Sequence, residues 1–325
     1  MTTSPTTSTT IAVTGAAGFI GSHLAGALVS RGRRVVGIDN FDPFYDRSLK
    51  EENVRGLAAG GGFTLAEGDI CDFDWLSRLF ERERPEGVVH LAAKAGVRPS
   101  VEDPVGYARA NVLGTASVLE AAREAGVSRM VVASSSSVYG NNPKTPFAEE
   151  DSVDGPISPY AATKRACELQ SFTHHHLTGM PTCCLRFFTV YGPRQRPDLA
   201  IGSFMRRLAA GETLSVYGDG STSRDYTYID DVVAGIISAY ERVPRFGFRV
   251  WNLGSDRPVR LDELIAAIGR VVGVEPRVTH TPPLAGDVER TWADLSRARA
   301  ELGYAPRTPL EEGLRRQWAW IAGEG

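Results

Sequence analysis

The sequence VTGAAGFIGSHL, residues 13–24, constrains the fold more than any other stretch of the chain. It places Gly15, Gly18 and Gly21 after a β-branched run and before an amphipathic run, so it predicts a strand, a tight turn and a helix. In that order the first glycine permits the turn, the second lets backbone N–H groups approach a pyrophosphate, and the third allows the helix to pack closely on the strand. We therefore predict a dinucleotide-binding turn here.

An acidic residue ends the next predicted strand. Asp39 closes the run RVVGID at residues 34–39. A carboxylate at that position accepts hydrogen bonds from both ribose hydroxyls and repels a 2′-phosphate, which favours NAD over NADP. Arg33 and Arg34 lie at the start of the strand and leave NADP as an alternative, because guanidinium groups can hold a 2′-phosphate.

Short β-branched runs alternate with longer amphipathic stretches through most of the first 190 residues, which predicts a doubly wound α/β fold with a parallel sheet. The predicted strands are residues 11–15, 34–39, 63–70, 87–93, 129–135 and 181–190. Loops rich in Gly, Pro and Arg dominate after Val190 and indicate a smaller substrate-binding region. We expect a disordered tail over 1–10, a Rossmann domain over 11–190, and a substrate region over 191–325 from which some chain returns to the first domain.

Charge and composition argue against several other classes of protein. The 325 residues carry a net charge of −3, so no overall field favours nucleic acid. No apolar run reaches the length of about 18 residues that a membrane span needs. The Thr-rich leader lacks an apolar segment, so we expect a frayed tail rather than a signal peptide. The sequence therefore predicts a cytoplasmic protein that binds neither nucleic acid nor membrane.

Neither the cysteines nor the histidines predict a metal site. The four cysteines have no ligand-like spacing, and adjacent Cys183 and Cys184 would point to opposite faces of a strand, as buried reduced thiols do. Three consecutive histidines at residues 174–176 would fan around a helix axis, so they cannot converge on one ion.

A tyrosine and a lysine stand four positions apart in PISPYAATKRACEL, residues 156–169. On a helix, Tyr160 and Lys164 would share one face. An ordinary surface pair is the alternative interpretation, because a lone Y-x-x-x-K motif is weak by itself.

Taken together, these motifs resemble the extended short-chain dehydrogenase/reductase family. They occur in the family's order: G-x-x-G-x-x-G, Asp39, GDI at 68–70, HLAA at 90–93, NVLGT at 111–115, SSSSVYG at 134–140 and Y-x-x-x-K. The resemblance spans about residues 11–320 and implies bound NAD. The cofactor-binding residues that it implies are Gly15, Gly18, Phe19, Ile20, Gly21, Asp39, Asn40, Asp69, Ile70, Leu91, Ala92, Ala93, Asn111, Tyr160 and Lys164. It also implies a homodimer, because the family commonly pairs through a bundle that includes the Tyr–Lys helix.

The same resemblance gives the Tyr–Lys pair a chemical role. A phenol, with an ordinary pKa of about 10, is a poor base at neutral pH. An ammonium one turn away and a positive nicotinamide ring stabilise a phenolate, so Tyr160 can act as the base while Lys164 also holds the nicotinamide ribose. Ser135 stands at the family's serine position, where its hydroxyl would bond the substrate oxygen during hydride transfer to NAD.

Two further segments resemble those of nucleotide-sugar 4-epimerases, which oxidise C4, turn the 4-keto sugar over and return the hydride to its other face. In SRDYTYIDD, residues 223–231, the resemblance implies that Arg224 clamps the UDP pyrophosphate, with a solvated loop charge as the alternative. The segment LRFFTVYGPRQRPD, residues 185–198, is similar to that of UDP-glucuronic acid 4-epimerases.

That second likeness implies that Thr189 and Arg196 receive the sugar carboxylate. A guanidinium group forms bidentate, charge-assisted bonds to a carboxylate, which neutral hexoses do not need. Arg194 is the competing candidate. Two residues depart from the pattern: Gln195 replaces the usual Gly and could stiffen or re-aim the loop, and Lys94 replaces a usual Gln, where it could add charge near the phosphates or simply be exposed.

Serines stand where related enzymes of other reaction classes carry acids. UDP-glucuronate decarboxylases place Glu at the position of Ser137, and sugar-nucleotide 4,6-dehydratases place Asp and Glu at Ser136 and Ser137. A serine cannot do that acid–base work at neutral pH, so Ser137 is expected to bind substrate instead. The sequence thus favours NAD-dependent epimerisation of UDP-glucuronate to UDP-galacturonate. A UDP-glucose-type 4-epimerase, the decarboxylase and a non-catalytic NAD sensor on the same fold are the alternatives.

Overall fold

The structure is a computed structural model that describes residues 9–282 and 288–323. Its strands are β1 Thr10–Thr14, β2 Arg34–Asp39, β3 Phe63–Glu67, β4 Gly87–His90, β5 Arg129–Ser135, β6 Thr182–Phe187, β7 Thr189–Tyr191, β8 Leu214–Tyr217, β9 Ser223–Tyr228, β10 Phe248–Leu253, β11 Pro258–Arg260 and β12 Val278–Thr281. Its α-helices are α1 Phe19–Ser30, α2 Arg47–Ala59, α3 Phe73–Glu83, α4 Val97–Glu102, α5 Pro104–Tyr107, α6 Gly114–Glu124, α7 Pro159–Thr178, α8 Ala200–Ala209, α9 Ile229–Arg242, α10 Leu261–Val272, α11 Ser296–Leu302 and α12 Leu310–Ile321.

Seven strands form one sheet in the order β10-β6-β5-β4-β1-β2-β3. The pairs β1–β2, β2–β3, β1–β4 and β4–β5 are parallel. The chain therefore winds outward from β1 to β3 and then returns to the other side of β1. This reversal creates a topological switch point between β1 and β4, the place where doubly wound sheets bind ligands. The predicted fold class is confirmed.

The first five predicted strands are correct in position, and some of their ends differ where the chain leaves the sheet. β2 and β5 have the predicted bounds. β3 ends at Glu67 and β4 at His90, three residues earlier than predicted in each case, because Gly68–Ile70 and Leu91–Ala93 form loops. The run predicted as one strand over 181–190 is wrong: it breaks at Phe188 into β6 and β7, and β7 pairs with β9 in a separate three-stranded sheet.

The chain divides into two compact units, each assembled from three stretches. Unit 1 comprises Met1–Ala133, Ala166–Cys184 and Ala239–Arg249. Unit 2 comprises Ser134–Arg165, Leu185–Ser238 and Val250–Gly325. The division after residue 190 stays a prediction about ligand-binding domains, which need not coincide with units of packing. Residues 1–8 of the predicted tail lie outside the described residues, whereas Thr10 already belongs to β1.

Two smaller sheets lie at the end of the chain. β7 and β11 flank β9, parallel and antiparallel to it respectively, and β12 pairs with β8 in parallel. In the described part of the chain, no helix combines the length and apolar character needed to cross a membrane.

Candidate active site

The glycine-rich turn of unit 1 has no space for side chains. Gly15 adopts a left-handed backbone with φ +69°, and a Cβ added to it would lie 2.8 Å from the backbone nitrogen of Ala92. A Cβ on Gly21 would lie 2.0 Å from the carbonyl oxygen of Gly15. Helix α1 begins after Gly18 without a side-chain cap. Its first N–H groups, including those of Phe19 and Ile20, are therefore not covered by a capping side chain, which is the arrangement that binds phosphate.

Asp39 lies beside this turn at the end of β2. Its side chain is 8% exposed, and its two carboxylate oxygens accept hydrogen bonds from the backbone N–H groups of Ala17 (3.0 Å) and Phe41 (2.9 Å). Burial raises the pKa of Asp39, and these two bonds oppose that shift. The carboxylate thus holds the glycine-rich turn in place, and each oxygen retains a further lone pair for a ribose hydroxyl. Asn40 follows it on the surface.

Arg33 and Arg34, which left NADP as an alternative cofactor, lie at the opposite end of the same strand. Arg34 is the first residue of β2, and its guanidinium bonds Thr10 Oγ1 (3.2 Å) and Glu83 (2.6 Å). Arg33 donates to Thr9 Oγ1 at 2.6 Å. Because five residues of strand span roughly 16 Å, neither guanidinium group is beside Asp39, and the structure favours NAD.

A chain of buried polar groups fixes the loop after β4. The Thr14 hydroxyl lies 2.7 Å from His90 Nδ1 and accepts the backbone N–H groups of Leu91 and Ala92, each at 3.1 Å. His90 Nε2 lies 3.0 Å from the hydroxyl of Thr115. These bonds pin the first residues of the segment Leu91–Ala93 at the switch point, beside the turn that contains Gly15.

Asn111, the buried residue of the π-helical turn Ala108–Leu113, anchors the end of that loop. Its side-chain oxygen accepts the N–H of Lys94 (2.8 Å) and its amide donates to the Lys94 carbonyl (3.0 Å). Lys94 itself pairs with Asp103 at 2.8 Å, and this bond raises the pKa of the lysine. Pairing with Asp103 is an outcome that sequence reasoning did not consider.

Asp69 and Ile70 lie in the loop after β3. Asp69 Oδ1 accepts the backbone N–H of Cys71 at 2.8 Å, and Ile70 is buried against Gly114. Unit 1 therefore presents a glycine-lined turn, an uncapped helix start, an acid at the end of β2 and two fixed loops. This set fits a dinucleotide with an unphosphorylated ribose.

The serine cluster of unit 2 begins at the last residue of β5. The Ser135 hydroxyl accepts the backbone N–H of Ser137 and donates to its hydroxyl, both at 3.2 Å. Ser135 is buried and Ser137 is half-buried. Behind them the Tyr139 hydroxyl donates to Asn252 (2.8 Å), and the buried Arg186 donates to the Tyr139 oxygen (2.9 Å). This network fixes the short 3₁₀ turn that carries Ser137.

Tyr160 and Lys164 lie on one face of α7, as predicted. The Ser158 hydroxyl accepts the N–H of Ala161 at 3.1 Å, and Pro159 occupies the first helical position, so capping fixes where the helix begins. Tyr160 is then the second residue of the helix. Lys164 is only 4% exposed, which is unusual for a lysine and distinguishes this pair from an ordinary surface pair.

The three-stranded sheet of unit 2 brings Thr189 and Arg224 to one face. Thr189 on β7 pairs with Tyr226 on β9, and Arg224 lies two residues before Tyr226. Side chains alternate along a strand, so all three lie on the same face, where they are half-buried, while Asp225 is fully buried on the other. Tyr226 was missed from the sequence, although alternation within SRDYTY could have indicated it. Burial raises its pKa to about 12.

Arg196 lies in the loop between β7 and α8. Its Nε and Nη2 donate to the two carboxylate oxygens of Asp198 at 3.1 and 3.0 Å, a bidentate pair. Its side chain is 16% exposed. The Arg224 guanidinium donates to the Ser223 carbonyl at 2.9 Å. Arg196 is thus held in a geometry that receives a carboxylate, whereas Arg224 is held by backbone oxygen.

No metal chemistry is indicated by the side chains of the described ranges. They contain no group of three or more His, Cys, Asp or Glu residues that could hold a metal ion. His175 of the histidine run instead bonds the Met180 carbonyl at 2.9 Å through Nδ1. The four cysteines are all free thiols.

Comparison with known proteins agrees with this geometry. The family model for the NAD dependent epimerase/dehydratase family matches residues 11–254. A UDP-glucuronate 4-epimerase of Thermodesulfobacterium geofontis is 40% identical over 310 residues, which cover 95% of this chain and 94% of that protein.

Solved structures are similar along nearly the whole chain. The crystal structure of UDP-glucuronic acid 4-epimerase from Bacillus cereus, in complex with UDP-glucuronic acid and NAD, is 36% identical with a TM-score of 0.91 and covers 97% of this chain and 99% of that one. The UDP-glucose 4-epimerase of Thermotoga maritima, with UDP-glucose, is 33% identical with a TM-score of 0.88 and covers 97% and 99%.

Proposed function

The chain belongs to the NAD-dependent epimerase/dehydratase family and uses NAD, and we propose that it interconverts UDP-glucuronate and UDP-galacturonate by epimerisation at C4. The observation that carries this proposal is the bidentate fork at Arg196, whose guanidinium already receives a carboxylate, that of Asp198. Serines at 136 and 137, in place of acids, support epimerisation over elimination or loss of CO2.

In the proposed reaction, the residues of α7 and β5 handle the proton on the C4 oxygen. Tyr160, as phenolate, takes the C4 hydroxyl proton and, after the 4-keto sugar has turned over, returns it to the C4 oxygen while the hydride returns to the opposite face of C4. Lys164 supplies the positive charge that stabilises the phenolate, and Ser135 donates a hydrogen bond to the C4 oxygen. NAD, when bound, accepts the C4 hydride and gives it back.

The carboxylate must survive the ketone stage. Once C4 is a ketone, the C6 carboxylate is β to it, and β-keto acids readily lose CO2. Thr189 and Arg196 would hold the carboxylate ionised and out of line with the carbonyl π system, with Ser137 as a third contact. Those bonds stabilise the charged ground state and oppose a transition state that disperses the charge. Arg224 would hold the pyrophosphate.

Product analysis tests the proposal directly. The purified protein is incubated with UDP-glucuronate and the nucleotide products are identified by NMR. We expect UDP-galacturonate as the main product, without added reductant. A UDP-pentose as the main product would identify a decarboxylase instead.

A UDP-glucose-type 4-epimerase is the second candidate. The observation that favours it is the similarity of this chain to the UDP-glucose 4-epimerase of Thermotoga maritima, which is 33% identical along nearly the whole chain. Parallel assays with UDP-glucose and UDP-glucuronate separate the two. Comparable kcat/KM on both substrates would favour the neutral-sugar enzyme.

We further propose a cytoplasmic homodimer. The four free cysteines suit a reducing compartment. In unit 1, large apolar side chains are exposed on α4, on α5, on the π-helical turn and on the second part of α7: Val101, Val105, Leu113, Leu169, Phe172 and Leu177. Exposed apolar side chains of this size, where they adjoin one another, mark protein contacts. Light scattering should give the mass of a dimer, and Phe172→Glu should give a monomer, whereas Val274→Glu, at an exposed apolar residue of unit 2, should not. A wild-type monomer would contradict this proposal.

A further inference from the structure

Gln195, which takes the place of the family's usual glycine, is a buried tether. It is only 5% exposed. Its amide nitrogen donates to the Val190 carbonyl at 2.9 Å, and its amide oxygen accepts from Gln317 Nε2 at 2.7 Å. Gln317 belongs to α12 and is fully buried. The side chain therefore connects its own loop to a helix 122 positions further along the chain.

The tether follows directly after a strained turn. The N–H of Gln195 donates to the Gly192 carbonyl at 3.2 Å, which closes a four-residue turn. Arg194, its third residue, has φ +62°. A non-glycine residue in this left-handed region is strained and persists only where its surroundings enforce it. The two side-chain hydrogen bonds of Gln195 help to enforce it, because they hold the residue next to Arg194.

Helix α12 packs on this strand and loop at two points. The Tyr191 hydroxyl donates to the Leu310 carbonyl at 3.1 Å, and a Cβ on Gly313 would lie 2.3 Å from that hydroxyl oxygen. The second point is the amide pair Gln195–Gln317. The Oε1 atom of Gln317 is buried without a hydrogen-bond partner. A buried amide that is only partly satisfied costs stability, so Gln317 contributes less to packing than an apolar residue would.

Arg196 comes immediately after the tethered residue. Its carbonyl accepts the N–H of Leu199 at 3.2 Å, and its guanidinium is forked on Asp198. The backbone on both sides of Arg196 is thus fixed, by the amide pair before it and by the turn into α8 after it. A shift of Gln195 would move the guanidinium relative to Thr189, which lies on β7.

We propose that in this chain, where Gln195 replaces the usual Gly, Gln195 and Gln317 are positioning residues that hold Arg196 where it receives the substrate carboxylate, and that they thereby strengthen the preference for a charged sugar over a neutral one. The inference rests on the proposed function, because it needs Arg196 to bind a uronate. The pair acts through Arg196 and touches no reacting atom.

The test compares Gln317→Leu, Gln195→Gly and the double variant with the wild type, for UDP-glucuronate and UDP-glucose separately. Each single variant should raise KM for UDP-glucuronate by about 3- to 10-fold, the effect of one net hydrogen bond, with kcat within about twofold. Affinity for UDP-glucose, measured by competition, should stay within about twofold. Arg315→Ala, on an exposed residue of the same helix, is the matched control and should change neither.

Thermal melting separates a positioning role from a merely structural one. Gln195→Gly leaves the Gln317 amide buried without a partner, so it should lower Tm, and adding Gln317→Leu should recover part of that loss while KM for UDP-glucuronate stays high. An unchanged KM in both single variants, or an equal loss of affinity for UDP-glucose, would overturn the inference alone. A wild-type protein that does not bind UDP-glucuronate would overturn the proposed function and the inference together.

Discussion

The candidate cofactor-binding region of unit 1 and the candidate sugar-binding region of unit 2 are built in different ways. In unit 1 the dinucleotide turn is made of backbone, and a single added carbon on Gly21 would collide with the Gly15 carbonyl oxygen at 2.0 Å. In unit 2 the proposed sugar-binding groups are side chains, and Arg196 already donates two hydrogen bonds to the carboxylate of Asp198. The comparison teaches that the cofactor turn has no room for a Cβ at Gly15 or Gly21, whereas the proposed sugar-binding region can be altered by replacing one side chain at a time.

The strongest way to break this comparison is Gly21→Ala. Its methyl group has only backbone neighbours, which cannot move aside, so we expect NAD binding to fall below detection and turnover of either sugar nucleotide to disappear. NAD binding is measured by calorimetry and folding by circular dichroism. Gly56→Ala is the matched control: this glycine lies within α2 and a Cβ there meets nothing within 4 Å. Normal NAD affinity in Gly21→Ala would contradict the assignment of this turn.

Tyr160→Phe tests the proton transfer on which the proposed reaction depends. Removing the hydroxyl removes the proposed base, so kcat should fall by at least ~10²-fold while the affinities for NAD and UDP-glucuronate stay nearly intact. Tyr217→Phe makes the same change on an exposed tyrosine of β8 and should leave kcat unchanged. Retained turnover in Tyr160→Phe would remove Tyr160 from the mechanism.

The candidate cofactor-binding region, which is built of backbone, could be predicted from the sequence to a large extent. The spacing of Gly15, Gly18 and Gly21 predicts the turn between β1 and α1 directly, because a Cβ would collide with backbone at Gly15 and at Gly21. Asp39 ends β2 as predicted. In unit 2, the placement of Tyr160 and Lys164 on one helix could also be predicted, because Ser158 before the helix and Pro159 at its first position are local signals of a helix start.

The candidate sugar-binding region, which is built of side chains, could be predicted only in part. Sequence periodicity did not reveal the break at Phe188, because most residues on both sides of it are buried and no Gly or Pro marks the break. In unit 1, likewise, no sequence motif marks the pairing of Lys94 with Asp103. Gln195 finds its partner 122 residues away, a contact that depends on the tertiary fold. Local patterns carry no information about contacts of that kind.

Arg196→Ala is the smallest of these effects and the one that sharpens the comparison most. The loss of a charge-assisted bond to the sugar should weaken UDP-glucuronate binding by about 1.5–3 kcal/mol, or roughly 10- to 150-fold. UDP-glucose and NAD should bind as before, because neither has a sugar carboxylate. Calorimetry with each ligand measures the three affinities, with Arg194→Ala as the paired variant. Loss of uronate affinity in Arg194→Ala but not in Arg196→Ala would transfer the carboxylate role to Arg194. Because the Arg196 guanidinium is already forked on Asp198, the measured loss should lie toward the lower end of that range: part of the bond to substrate replaces a bond that the free enzyme already has.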